Sequence, residues 1–110
     1  MLITALALTS TVALALSHEA EEFIAITKQL EPLQCEKRKL RREIALAEIE
    51  HRYEDAKKLR GRFAALDRDP ASAKLERRLG ELEPRLRASR DREDLEAISR
   101  QSRAAFFRCE

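Results

Sequence analysis

Residues 23–44, FIAITKQLEPLQCEKRKLRREI, set the fold class of the chain. Apolar side chains recur there at steps of three or four residues, at Phe23, Ile26, Leu30 and Leu33, and Leu40 and Ile44 continue the same phase after Lys37. This spacing places them on one face of an α-helix, and charged residues occupy most of the remaining surface. The segment therefore predicts a long amphipathic helix that packs against at least one other helix.

The same spacing continues along the rest of the chain in shifted registers. The later stripes comprise Leu46, Ile49, Tyr53 and Ala56, then Leu75, Leu79, Leu82 and Leu86, and finally Leu95, Ile98, Ser102, Ala105 and Cys109. Only 2 Gly and 3 Pro occur among 110 residues, so the residues that β-turns favour are scarce. We predict an all-α protein with at least about 75% helix and no β-sheet.

Composition and motifs both argue against catalysis. A catalytic pocket needs loops on a rigid scaffold, and this chain has few residues that favour loops. The sequence contains no Gly-rich phosphate loop and no nucleophile elbow. Glu48 and His51 have the Glu-x-x-His spacing of di-iron bundles, but those sites need a second copy and two further Glu residues. We therefore expect no enzyme activity, no cofactor and no metal.

The strongest helix-breaking signal is Asp67-Arg68-Asp69-Pro70. Asp69 is suited to cap a helix that begins at Pro70. We therefore expect residues 18–110 to form a charged antiparallel helical hairpin, or coiled coil, that reverses direction between Leu66 and Ala71, with its turn near 67–70. The alternative is a continuous helix that is kinked at this point.

Two further prolines lie inside the helical patterns. Pro32 and Pro84 each remove a backbone amide and clash with the preceding turn. We expect one helix to end near Glu31, a second to run from about Pro32 to Leu66, and the return helix to kink at Pro84.

The N-terminal segment, residues 1–17, reads MLITALALTSTVALALS and differs from the rest of the chain. All 22 Lys and Arg and all 20 Asp and Glu lie after it. We interpret it as a hydrophobic helix that is retained as a transmembrane anchor, although it is short for a helix that spans a bilayer. A cleaved signal peptide is an alternative, because Ala15-Leu16-Ser17 resembles a cleavage site before His18. A buried helix in a soluble assembly is a third.

The two cysteines, Cys35 and Cys109, are candidates for a disulfide. A hairpin folded at residue 68 places Cys35 opposite residue 101, so Cys109 overshoots by about 12 Å at 1.5 Å per residue. A kink at Pro84 and a frayed terminus would absorb this distance, whereas two unpaired thiols are the alternative. A bond would place the hairpin in the periplasm or outside the cell. Positive-inside counting favours a cytoplasmic hairpin instead.

A basic block follows the first cysteine. Its members are Lys37, Arg38, Lys39, Arg41 and Arg42. Such a block suits acidic protein partners or anionic lipid headgroups. Nucleic acid is a weaker candidate, because the block has no aromatic neighbours for base stacking.

These features predict a small, non-catalytic structural or assembly subunit. Residues 2–17 would sit in the bilayer as a single pass, and the apolar stripes of the hairpin would pack against partner proteins or a second copy of the chain. No small-molecule substrate is expected. The alternative is a soluble coiled-coil adaptor or chaperone-like protein, in which residues 2–17 form one more interaction helix. The general plan is similar to that of membrane-anchored coiled-coil proteins.

Overall fold

A computed structural model of the chain describes residues 16–109. Four helices account for 89% of these residues, and no strand occurs in this range. They are α1 (His18–Ile49), α2 (Tyr53–Asp67), α3 (Pro70–Ser89) and α4 (Arg92–Arg108). The all-α prediction and its high helix content are confirmed for this part of the chain.

Helix α1 is 32 residues long and begins at a capping serine. The Ser17 hydroxyl accepts a hydrogen bond from the Ala20 backbone N–H at 3.2 Å, which satisfies one of the free amides of the first turn. The predicted break at Pro32 is wrong, because α1 continues through it. Pro84 lies inside α3, and the kink expected there stays a prediction. Packed residues on both sides of each proline, such as Leu30 and Leu33, offset the lost backbone hydrogen bond.

The chain first reverses direction immediately after α1. His51 has φ of 58°, the left-handed conformation that ends many helices. Its backbone N–H donates to the Glu48 carbonyl at 3.1 Å, and the Arg52 N–H donates to the Ala47 carbonyl at 2.8 Å. These two bonds form a Schellman motif, with histidine at the position that glycine usually occupies.

Helices α2 and α3 both run antiparallel to α1, so the predicted reversal between Leu66 and Ala71 is wrong. The ion pairs that join α1 to α2 and α3 show this, because the residue number falls along α1 as it rises along the partner helices: Glu48–Arg60, Lys37–Asp67, Glu22–Arg78 and Glu19–Arg85. The break at Asp69 remains, since its carboxylate accepts from the Ser72 N–H at 3.1 Å and α3 begins at Pro70. Both helices bury their apolar faces against α1, and that packing keeps the chain in one direction across the break.

The second reversal lies at Arg90, which has φ of 53°. Asp91 caps α4 through hydrogen bonds from the Glu93 and Asp94 N–H groups at 3.0 and 3.1 Å. Helix α4 then runs parallel to α1, because its first turn contacts Ser17 and its last residues contact Glu31 and Arg38.

The molecule therefore has two parts. In the body, residues 16–36 and 69–109, three helices pack around Ala20, Ile26, Leu30, Leu82 and Leu86. In the arm, residues 37–68, the end of α1 pairs mainly with α2, and only Leu40, Ala47 and Ala56 are buried apolar residues. Full burial of a leucine contributes about 1.5 to 3 kcal/mol, so most of the apolar stabilisation lies in the body.

Candidate interaction surfaces

A buried carboxylate aligns the starts of α1 and α4. The Asp94 side chain, 2% exposed, accepts hydrogen bonds from the Ser17 N–H at 3.0 Å and from the Ser17 hydroxyl at 2.5 Å. A carboxylate beside the amino end of α1 is also favoured by the helix dipole. Sequence reasoning missed Asp94, although the acidic residues that follow Asp91 are typical of a helix start.

The cysteine pair holds the other end of α4. Cys35 and Cys109 lie at disulfide distance, with their Cα atoms 5.1 Å apart. The predicted overshoot is wrong, because the chain reverses at His51 and Arg90 rather than once near residue 68. Two reversals bring the end of α4 to the middle of α1.

An ion pair next to the cysteines supports the same contact. The Arg108 guanidinium donates to both carboxylate oxygens of Glu31, at 2.7 and 3.0 Å. These hydrogen bonds lower the pKa of Glu31 below its ordinary value. A matching bidentate pair, Arg78 with Glu22, joins α3 to α1 at 2.6 and 3.0 Å and lowers the pKa of Glu22.

The basic block does not form one patch, because successive residues of a helix point in different directions. Lys37 is 5% exposed and forms ion pairs with Asp67, at the end of α2, and with Glu76 of α3. Hydrogen bonds from these carboxylates raise the pKa of Lys37. Lys37 therefore stabilises the junction of α1, α2 and α3 and is not free to bind a partner.

The other four cations of the block differ in what they contact. The Arg38 guanidinium donates to the Phe106 carbonyl at 3.1 Å and lies 4.1 Å from the centre of the Phe106 ring. Arg41 lies 5.1 Å from the centre of the Phe63 ring. Such cation–π contacts fix the planes of both guanidinium groups. Lys39 and Arg42 are exposed.

The arm has two open faces. One is a wide, open hollow, called the groove below, which is lined by Arg41, Ile44, Arg60 and Phe63. The other is a shallow depression lined by Glu43, Leu46, Arg52, Asp55, Lys58, Leu59 and Arg62. Near the tip, Leu46, Ile49 and Tyr53 are 51%, 74% and 60% exposed. The arm thus presents apolar side chains beside several cations.

The Glu48 and His51 side chains do not share a helix face, because His51 lies beyond the end of α1. Glu48 forms an ion pair with Arg60, and the His51 Nδ1 atom lies 2.7 Å from the Tyr53 hydroxyl. Within residues 16–109, no group of three or more His, Cys, Asp or Glu is arranged to hold a metal ion.

The predicted membrane anchor, residues 2–17, lies outside the described part of the chain except for its last two residues. Leu16 packs against the core of the body, and Ser17 caps α1. No helix within residues 16–109 combines the length and apolar character that a bilayer span requires.

No known protein family, curated protein or solved structure matches the chain.

Proposed function

We propose that the chain is a small, non-catalytic assembly subunit that residues 2–17 hold at a membrane and whose arm packs against partner proteins. The contrast between body and arm carries this proposal. Three helices surround the core of the body, where Phe106 and Phe107 at the end of α4 are exposed, whereas the two-helix arm leaves three large apolar side chains, Leu46, Ile49 and Tyr53, half or more exposed. Large apolar side chains grouped on one part of a surface are typical of a protein–protein contact.

Retention of the N-terminal segment is supported by the two residues that connect it to α1. Cleavage before His18 would remove Ser17, the N-cap of α1, and Leu16, which packs on the core. It would also deprive the Asp94 carboxylate of both hydrogen bonds from Ser17. A retained segment keeps these contacts.

The cysteine pair supports an oxidising compartment, in which disulfides form and persist. Cys35 and Cys109 come from distant parts of the chain and lie at disulfide distance. We therefore place the body and arm in the periplasm or outside the cell rather than on the side that positive-inside counting favours.

The second candidate function is a soluble coiled-coil adaptor. Packing of Leu16 on the core favours it, because this residue of the apolar segment contacts protein. The two candidates agree that the arm binds proteins, and they differ in what the N-terminal segment contacts.

Affinity purification of the full-length chain in mild detergent tests the role of the arm. Ile49→Gln changes an arm residue that is 74% exposed, and Phe107→Gln changes a body residue that is 71% exposed, so the two variants are matched. We expect Ile49→Gln to lose co-purifying proteins that Phe107→Gln retains. Equal recovery with both variants would contradict the proposal.

A further inference from the structure

Helix α4 occupies only part of the surface that α1 offers it. Thr27, Glu31, Gln34 and Arg38 line the contact with the last turns of α4, around Ala105 and Phe106. These α1 residues follow one another at three- or four-residue steps and therefore form one face. Helix α4 ends at Cys109 beside Cys35, but α1 continues to Ile49.

The same face of α1 continues into the arm without a helix to cover it. The next residues at this spacing are Arg41, Ala45 and Ile49, and all three are exposed. Across the groove, α2 contributes Arg60 and Phe63. From Arg38 to Ile49 the uncovered face is 11 residues long, or about 16 Å at 1.5 Å per residue.

The arm that carries this groove has a positive net charge. Residues 37–68 contain 11 Lys or Arg and 6 Asp or Glu, a net charge of +5, while the whole chain carries only +2. Arg41 and Arg60 flank the apolar Ile44 and Phe63. A partner that binds this surface must therefore supply apolar side chains to contact Ile44 and Phe63 and carboxylates to contact the flanking arginines.

We infer that the groove binds an acidic amphipathic helix of a partner protein, about three turns long and placed end to end with α4. This inference rests on the proposed function and specifies the partner's chemistry and its position. Its apolar face packs on Ile44 and Phe63. Its carboxylates pair with Arg41 and join Glu48 around Arg60, while the exposed Ala45, one residue beyond Ile44, allows its backbone to approach α1.

A synthetic peptide tests the inference directly. The probe is an amphipathic helix of about 20 residues, long enough to be helical in water, with leucines on one face and glutamates on its flanks. A second peptide replaces every glutamate by lysine. Fluorescence anisotropy with the full-length chain in mild detergent measures binding, and we expect the acidic peptide alone to bind, more weakly as salt is raised.

Ala45→Glu and Ala65→Glu form a matched pair of variants. Both residues are exposed alanines inside helices. Ala45 follows the lining residue Ile44 and lies one turn beyond Arg41, on the uncovered face of α1, whereas Ala65 is two positions beyond Phe63 and faces away from the groove. Because like charges across an interface cost several kcal/mol, Ala45→Glu should weaken binding by about tenfold or more, and Ala65→Glu by less than about twofold.

Three results would overturn the inference. They are equal affinity for both peptides, equal effects of the two variants, and formation of a dimer that Ala45→Glu abolishes, which would make the occupant a second copy. If the acidic peptide fails to bind while Ile49→Gln still loses its co-purifying proteins, the groove assignment fails and the proposed function stands.

Discussion

The link between Cys35 and Cys109 should provide much of the stability of the body. The cysteines are 74 residues apart in sequence. A cross-link that closes a loop of this length lowers the entropy of the unfolded chain by an amount worth about 4.5 kcal/mol at 25 °C, and measured values are typically about 2 to 4 kcal/mol. We expect a chain with both Cys35→Ser and Cys109→Ser to lose about 2 to 4 kcal/mol of unfolding free energy.

The loss should be local as well as global. Without the cross-link, the end of α4 is held by the exposed Arg108–Glu31 pair and by the Arg38 contact with Phe106. Exposed ion pairs contribute at most about 1 kcal/mol. Hydrogen exchange should therefore accelerate in the last two turns of α4, while the start of α4, held by Asp94, exchanges more slowly.

Urea denaturation of the oxidised chain and of the double serine variant measures the global effect, and amide hydrogen exchange measures the local one. A thiol assay on the unfolded oxidised chain provides the control, since it should detect no free cysteine. The reasoning is refuted if the midpoints agree, or if exchange accelerates uniformly along the chain.

Three further predictions concern the helix contacts. Hydrogen bonding to Arg78 lowers the pKa of Glu22 from its ordinary value of 4.5. The ionised carboxylate therefore stabilises the fold above about pH 4.5, and this stabilisation is lost as the pH falls through the lower pKa of the folded state. In urea denaturation, Glu22→Gln should be less stable than the parent at neutral pH and equally stable in acid. Arg90→Gly should stabilise the chain by about 1 kcal/mol, because Arg90 has positive φ, a conformation that glycine adopts more readily. Arg77→Gly, inside α3, should destabilise it by about 1 kcal/mol, and the melting temperatures should rise and fall accordingly. Lys37→Ala should destabilise the chain by about 1 to 3 kcal/mol, and Lys37→Met by less, because methionine retains an apolar chain in place of the buried methylene groups of lysine. Thermal unfolding that ranks the two variants in the opposite order would contradict this prediction.

Local patterns in the sequence predicted the helices and the cap at Asp69, because apolar spacing and capping chemistry act within a few residues. They did not predict where the chain reverses. His51 and Arg90 adopt the left-handed conformation without a glycine or asparagine to signal it. Their positions are favoured by the packing of α2, α3 and α4 on α1, which involves distant residues.

The candidate surfaces were predictable to a similar extent. The two cysteines stood out in the sequence, but their approach depends on two reversals rather than one. The basic block was also visible in the sequence. Successive residues of a helix point in different directions, however, so Lys37 is buried, Arg38 contacts Phe106 and Arg41 contacts Phe63. Nothing in the local pattern indicated the groove, because it exists only where α4 ends and α1 continues.

Carbonate extraction of membranes tests the central claim, a subunit held at a membrane by its N-terminal segment, most directly. The comparison uses the full-length chain and a chain that lacks residues 2–15 but keeps Leu16 and the capping Ser17. Burial of a leucine or isoleucine side chain contributes about 1.5 to 3 kcal/mol, so the deleted residues should outweigh the exposed ion pairs in deciding where the chain resides. We expect the full-length chain in the membrane pellet and the truncated chain, with unchanged helical circular dichroism, in the supernatant. Recovery of the full-length chain in the supernatant would contradict the account and favour the soluble adaptor.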